Sequence, residues 1–217
     1  MKLPLLYQTT NYDCGPTAVL NAIRFLYDRE QIPPEFVHKA FSCMLDRSNG
    51  ECVFARGGTT NAALRYYAQW LNIYAQDIHY NIRTYYIEGD KVNMKENSLI
   101  RKCLNMGGAV VARCCVQEDH FITLTGIQIG TEDDPYNTME YVRIFDPWYM
   151  EEPLWNDDRI QRVNDKPKEY NMLVPVEDLE AGRETWYALE NCDEKCAALF
   201  IRTGPGYVMH PENDITL

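Results

Sequence analysis

Residues 8–23 read QTTNYDCGPTAVLNAI, and the register of this segment sets the terms for the rest of the chain. From Cys14 to about Tyr27, the apolar residues Val19, Ala22, Ile23 and Leu26 recur at i, i+3, i+4 and i+7, the pattern of a helix with one buried stripe. Asp13-Cys14-Gly15-Pro16 marks its start, because a proline in the first turn gives up an N–H that has no intrahelical partner. Cys14 therefore stands at a helix N-terminus, where open backbone N–H groups and the positive end of the helix dipole favour thiolate over thiol. Most cysteines are simply small buried residues, and that is the reading for those at 43, 52, 103, 114, 115, 192 and 196.

A reactive thiol needs a base, and the chain has histidines only at 38, 79, 120 and 210. His120 opens the strand-like run HFITLTGI, and Asp146 ends the run YVRIFDPW. Between them GTEDDPYN is dense in turn-formers, so the two runs are expected to form an antiparallel hairpin. With Gly130 and Asn137 as the loop ends, His120 and Asp146 fall within one residue of direct opposition, at the end of the ladder away from the loop. A carboxylate there can orient an imidazole and stabilise its protonated form. Gln8 precedes Cys14 on the segment that enters the helix, where its amide N–H can point at an oxyanion beside the Cys14 backbone N–H.

Other elements follow from the same signals. A second helix is expected from Glu35 to Leu45 after Pro33-Pro34, and a third after a Thr59 or Thr60 cap, with Ala63, Tyr66, Tyr67 and Trp70 on one stripe. Residues 73 to 96 read as short strands and loops, and Ser98 to Asn105 as a short helix stopped by Gly107-Gly108. Ala109–Val116, His120–Ile129 and Met139–Phe145 carry the valine, isoleucine, threonine and aromatic content of strands. Met150 to Lys168 reads as a covering loop, Val176–Leu179 and Cys192–Arg202 as further elements of unassigned type, and the tail from Gly204 as frayed.

Charge narrows the partners. Against 32 acidic residues the chain has 21 Lys and Arg, a net charge of -11, and no basic run, so nucleic acid is not expected as a partner. No run approaches the ~18 apolar residues of a membrane span, and Leu3–Tyr7, broken by Pro4, is too short for a signal-peptide core; the expected location is cytoplasmic, with reduced thiols and no membrane insertion. Cys192 and Cys196 share a helix-like spacing, but no second pair accompanies them, so no metal and no cofactor are expected. Cys114 and Cys115 are strand neighbours facing opposite ways.

The segment QTTNYDCGPTAVLNAI, with His120-Phe121 and Asp146-Pro147 further on, resembles the bacteriocin-processing, double-glycine-leader peptidases, a branch of the papain-like cysteine peptidases. The resemblance covers about residues 1 to 150. It implies Cys14 as nucleophile, His120 as base, Asp146 as orienting acid and Gln8 as oxyanion donor. Asp119 stands where a glycine is expected in many members, and the chain carries neither the transmembrane helices nor the P-loop of the transporter-fused ones. The expectation is thus an α+β, papain-like fold in a single domain over 1–217: an N-terminal helical part packed on an antiparallel sheet, a core of 1–150 and an elaboration over 151–217. The expected activity is hydrolysis of a peptide or protein substrate. A thiol-dependent amidase or acyltransferase on the same scaffold, and a catalytically silent peptide-binding module, stand as alternatives, and the oligomeric state is left open.

Overall fold

The computed structural model describes residues 1–116, 118–131, 137–149, 151–152, 154–181, 185–189 and 195–204. Helix α1 spans Cys14–Leu26, as its apolar stripe requires, and Ala18, Ala22 and Ile23 are fully buried along it. Helix α2 runs over Pro34–Met44 with Pro34 in its first turn. Helix α3, Asn61–Asp77, is capped by Thr60, whose hydroxyl oxygen accepts from the Ala63 N–H at 3.1 Å. It continues past residue 73, where the sequence pattern suggested strands and loops, because Ala75 keeps the buried stripe going. Strand β1, Ile82–Glu88, follows, and α4, Leu99–Asn105, is capped by Ser98 and ends at Gly107, whose φ of +76° suits a residue without Cβ.

The remaining strands are β2 (Ala109–Val116), β3 (Glu118–Ile129), β4 (Glu140–Phe145), β5 (Gln161–Arg162), β6 (Met172–Pro175) and β7 (Cys196–Arg202), with a short helix α5 over Val176–Glu180. Among the described residues they form one antiparallel sheet in the order β1-β7-β2-β3-β4-β6-β5. The molecule is α+β. Its sheet is covered on both faces: α1, α2 and α3 pack with Val111, Phe121, Ala198 and Phe200, while Val110, Ile122, Leu124 and Ile144 pack with Ile100 of α4 and Leu179 of α5. Burial on both sides explains why β2 reads as an apolar run interrupted only at Arg113 rather than an alternating one.

Residues beyond 150 are more than a cover. β6 and β5 extend the sheet past β4, and β7 lies between β1 and β2, so a strand near the end of the chain joins the first strand to the rest. Cys192, considered above with Cys196, lies outside the described residues, as do the tip of the GTEDDPYN loop and the tail beyond Gly204. Among the described residues, no helix is long and apolar enough to cross a membrane.

The β3–β4 hairpin forms with a different register from the simple reading. Gly130 N–H donates to the Met139 carbonyl at 2.9 Å and Ile129 faces Glu140, which slides β4 by two residues relative to a loop closed at Asn137. A bulge between Leu124 and Gly126 then takes up one residue, so that Leu124 faces Ile144 and Thr123 faces Phe145. The bulge restores the parity that puts His120 and Asp146 on one side. Continued one step, the ladder sets Asp146 opposite Ile122, so His120 is its diagonal neighbour rather than its partner, a separation that side chains can span.

Candidate active site

The segment entering α1 is fixed by its own polar groups. Asn21 on the helix clasps Leu6, accepting from its N–H at 2.6 Å and donating to its carbonyl at 2.9 Å. The buried Asp13 carboxylate accepts from the Thr9 N–H at 3.1 Å and from the Thr10 N–H and hydroxyl at 2.8 Å each. Asp13 is thus turned back on the loop and makes no side-chain cap on α1, which leaves the positive end of the helix to Cys14. Gly15 is required next to it, because a Cβ there would sit 2.1 Å from Thr59 Oγ1. That hydroxyl is itself committed to the Met44 carbonyl at 2.6 Å, so α1, α2 and the start of α3 meet at this glycine.

The hairpin carries the partner groups to this helix end. His120 Nε2 lies 2.8 Å from Asp146 Oδ1, with both residues buried, at 3% and 2% exposure. Cys14, 7% exposed, lies close enough to the imidazole to raise its pKa; with Nε2 on Asp146, Nδ1 is the ring nitrogen left for it. Burial alone would lower the His120 pKa, but the charge and hydrogen bond of Asp146, reinforced by Cys14, overcome it and raise the value from 6.5 to about 10. The ring is therefore an imidazolium at neutral pH.

Asp146 is held from several sides. Its Oδ1 also accepts from the Trp148 N–H at 2.8 Å, and its Oδ2 accepts from the Tyr187 hydroxyl at 2.8 Å. Its backbone exchanges two hydrogen bonds with the Asn171 carboxamide, both at 2.8 Å. The Trp148 ring lies against His120 with centroids 5.9 Å apart and shelters the ion pair. Trp148, Asn171 and Tyr187 were not singled out from sequence. Trp148 had a signal, since the residues after a hairpin-ending Asp-Pro fold back beside it; Asn171 and Tyr187 arrive from just before β6 and from the stretch before β7, and no local pattern points to them.

Gln8 is brought to the same place but is engaged differently from expectation. Its backbone N–H donates to the Pro147 carbonyl at 2.8 Å, which ties it to the segment just after Asp146. Its amide Nε2 donates to the Thr10 carbonyl at 2.7 Å, while Oε1 is buried without a partner. One amide N–H is thus spent on the loop, and the second is the one an oxyanion would use. On that basis Gln8→Ala is expected to lower kcat by about 10²-fold with little change in KM; a change confined to KM, measured in steady-state assays, would reassign Gln8 to substrate binding.

Asp119, next to His120, is paired with the buried Arg113, whose guanidinium also donates to Asn61 Oδ1 at 2.9 Å. Its charge is therefore answered locally. Cys196 is buried beside the same Asn61, its Sγ 3.0 Å from Oδ1, and no group of three metal-ligating side chains gathers among the described residues. Compared with known family models, curated proteins and solved structures, the chain finds no significant match.

Proposed function

We propose that this chain is a papain-like cysteine hydrolase that cleaves a peptide or other amide bond through Cys14, His120 and Asp146. The observation that carries the reading is the buried His120–Asp146 pair, with Cys14 at the head of α1 close enough to act on the imidazole's charge. In this reading the Cys14 sulfur attacks the scissile carbonyl, and the oxyanion is bound by the Cys14 N–H and the Gln8 amide. The His120 Nδ1 proton passes to the departing amine, which leaves a thioester on Cys14. A water then gives its proton to Nδ1 and attacks the thioester, releasing the acid and freeing the Cys14 sulfur for another cycle. Asp146 keeps its proton count throughout and holds the ring in place.

Iodoacetamide at pH 6 tests this directly, with the modified residue identified by mass spectrometry. Cys52, which is exposed, is the internal control: an activated Cys14 takes the reagent well ahead of it despite being more buried. Equal or slower labelling of Cys14 contradicts the reading. Incubation with a diverse peptide library then reports the products, and a substrate consumed only when an amine acceptor is added would move the assignment from hydrolase to transferase.

A further inference from the structure

We propose that Tyr187 is a positioning residue of this site: its hydroxyl fixes Oδ2 of Asp146, so that Oδ1 stays on the His120 ring. The proposal rests on the catalytic reading of the His120–Asp146 pair and adds to it a member from outside the N-terminal part of the chain. A carboxylate with a single partner can turn about its Cβ–Cγ bond and exchange its two oxygens. Here Oδ1 receives His120 Nε2 and the Trp148 N–H, and Oδ2 receives the Tyr187 hydroxyl. Three donors converging on two oxygens leave one orientation, and the imidazole follows it.

Tyr187 is itself held with unusual firmness. It is fully buried, and its φ of +67° lies in the left-handed region that an aromatic residue rarely enters. Such a conformation persists where surrounding contacts over-determine it, which is commonest at functional sites. Those contacts are present: the Tyr187 N–H donates to the Cys115 carbonyl at 3.0 Å, the Cys115 N–H donates to the Ala188 carbonyl at 3.3 Å, and the ring lies 6.2 Å from Trp155 and 6.5 Å from Trp186 between centroids. The chain thus docks on the part of β2 beyond Ala112, where the pairing with β7 ends. Burial, then Asp146, holds the phenol well above its ordinary pKa of 10, so the hydroxyl remains a donor. Behind the carboxylate, the wall built from Tyr7, Trp155, Arg162, Met172 and Tyr187 leaves a cavity of only about 10 Å³, room for one water at most.

Tyr187→Phe deletes this hydroxyl and nothing else. The charged or titratable groups facing the pair are Cys14 and Asp146 around His120, and Asp146, Cys114 and Arg162 around Tyr187. With one donor fewer, the Asp146 charge rests more heavily on the imidazolium, so the His120 titration, read by NMR on ¹⁵N-histidine-labelled protein, is expected to move to higher pH. Asp146→Asn must move it the opposite way. On a peptide that the protein hydrolyses, kcat is expected to fall about tenfold with KM unchanged, the scale of one hydrogen bond to a charged group. A His120 titration in Tyr187→Phe that coincides with that of the unsubstituted protein overturns the proposal, as does failure of Tyr187→Phe to fold, which would assign the hydroxyl to stability. A titration that moves as stated in a protein whose Cys14 takes no reagent supports the positioning role and overturns the hydrolase reading alone.

Discussion

Replacing Cys14 by alanine is expected to remove amide hydrolysis almost entirely, a loss of roughly 10⁶-fold in turnover on the scale set by deletion of other catalytic nucleophiles. The size follows from what remains. The helix end, the Gln8 amide and the His120–Asp146 pair would still bind a carbonyl and polarise it, but no atom would be in place to form the acyl bond, and water would have to attack unaided. Folding should be little disturbed, since the side chain is small and the glycine beside it makes the close contact with Thr59. Cys43→Ser, at a half-buried position on α2, serves as the comparison and should keep activity within about tenfold. Activity of Cys14→Ala at the level of the unsubstituted protein, measured on the same peptide, would end the proposal whatever the geometry around His120.

Much of this arrangement was legible in the chain, and the reasons differ from part to part. Helix α1 and the place of Cys14 on it rest on local pattern: a stripe of Val19, Ala22, Ile23 and Leu26 and a proline in the first turn, all within one element. The pairing of β3 with β4 is nearly local as well, because one turn-rich segment joins two strand-like runs. Its register is less so. The loop closes between Gly130 and Met139 rather than at Asn137, and the bulge between Leu124 and Gly126 is marked only by that glycine inside the strand-like run, which a count of residues passes over. His120 and Asp146 meet because the slide of two residues and the bulge together keep them on one face as diagonal neighbours. Counting residues along an unbroken hairpin reached the right pair with the wrong ladder.

The second layer around Asp146 was beyond sequence reasoning. Asn171 belongs to a segment that pairs with β4 only because β6 folds back on it, and Tyr187 reaches the carboxylate from a stretch anchored on β2. Neither residue type is distinctive. The long-range placement of β7 between β1 and β2 is equally non-local, since any of several strands with apolar faces would satisfy the same periodicity. What tertiary pairing decides, residue spacing cannot report.

The second large effect expected is at the His120–Asp146 pair, where Asp146→Asn should preserve the fold and lower turnover by about 10⁴-fold. The amide oxygen can still accept from the Trp148 N–H, and the amide NH2 can donate to the Tyr187 hydroxyl with that bond reversed, but the charge that raises the His120 pKa to about 10 is gone. His120→Ala should cost at least as much, and the double variant no more than His120→Ala, because the two act as one unit; losses that multiply in the double variant would separate them. Stability gives an independent check with a definite sign. In the unsubstituted protein the folded-state pKa of His120 lies above the ordinary 6.5, so its contribution to stability is fully present below about pH 6.5 and fades as pH rises through about 10. In Asp146→Asn the burial of the ring is no longer opposed by a carboxylate, the folded-state pKa falls below 6.5, and a buried neutral imidazole then resists protonation. Its contribution must therefore be lost as pH falls, so that the difference in melting temperature between the two proteins widens toward acid and narrows toward pH 10. A difference that stays constant from pH 5 to pH 10 would mean that His120 is not held as an imidazolium by Asp146, and the pair would lose its place in the mechanism.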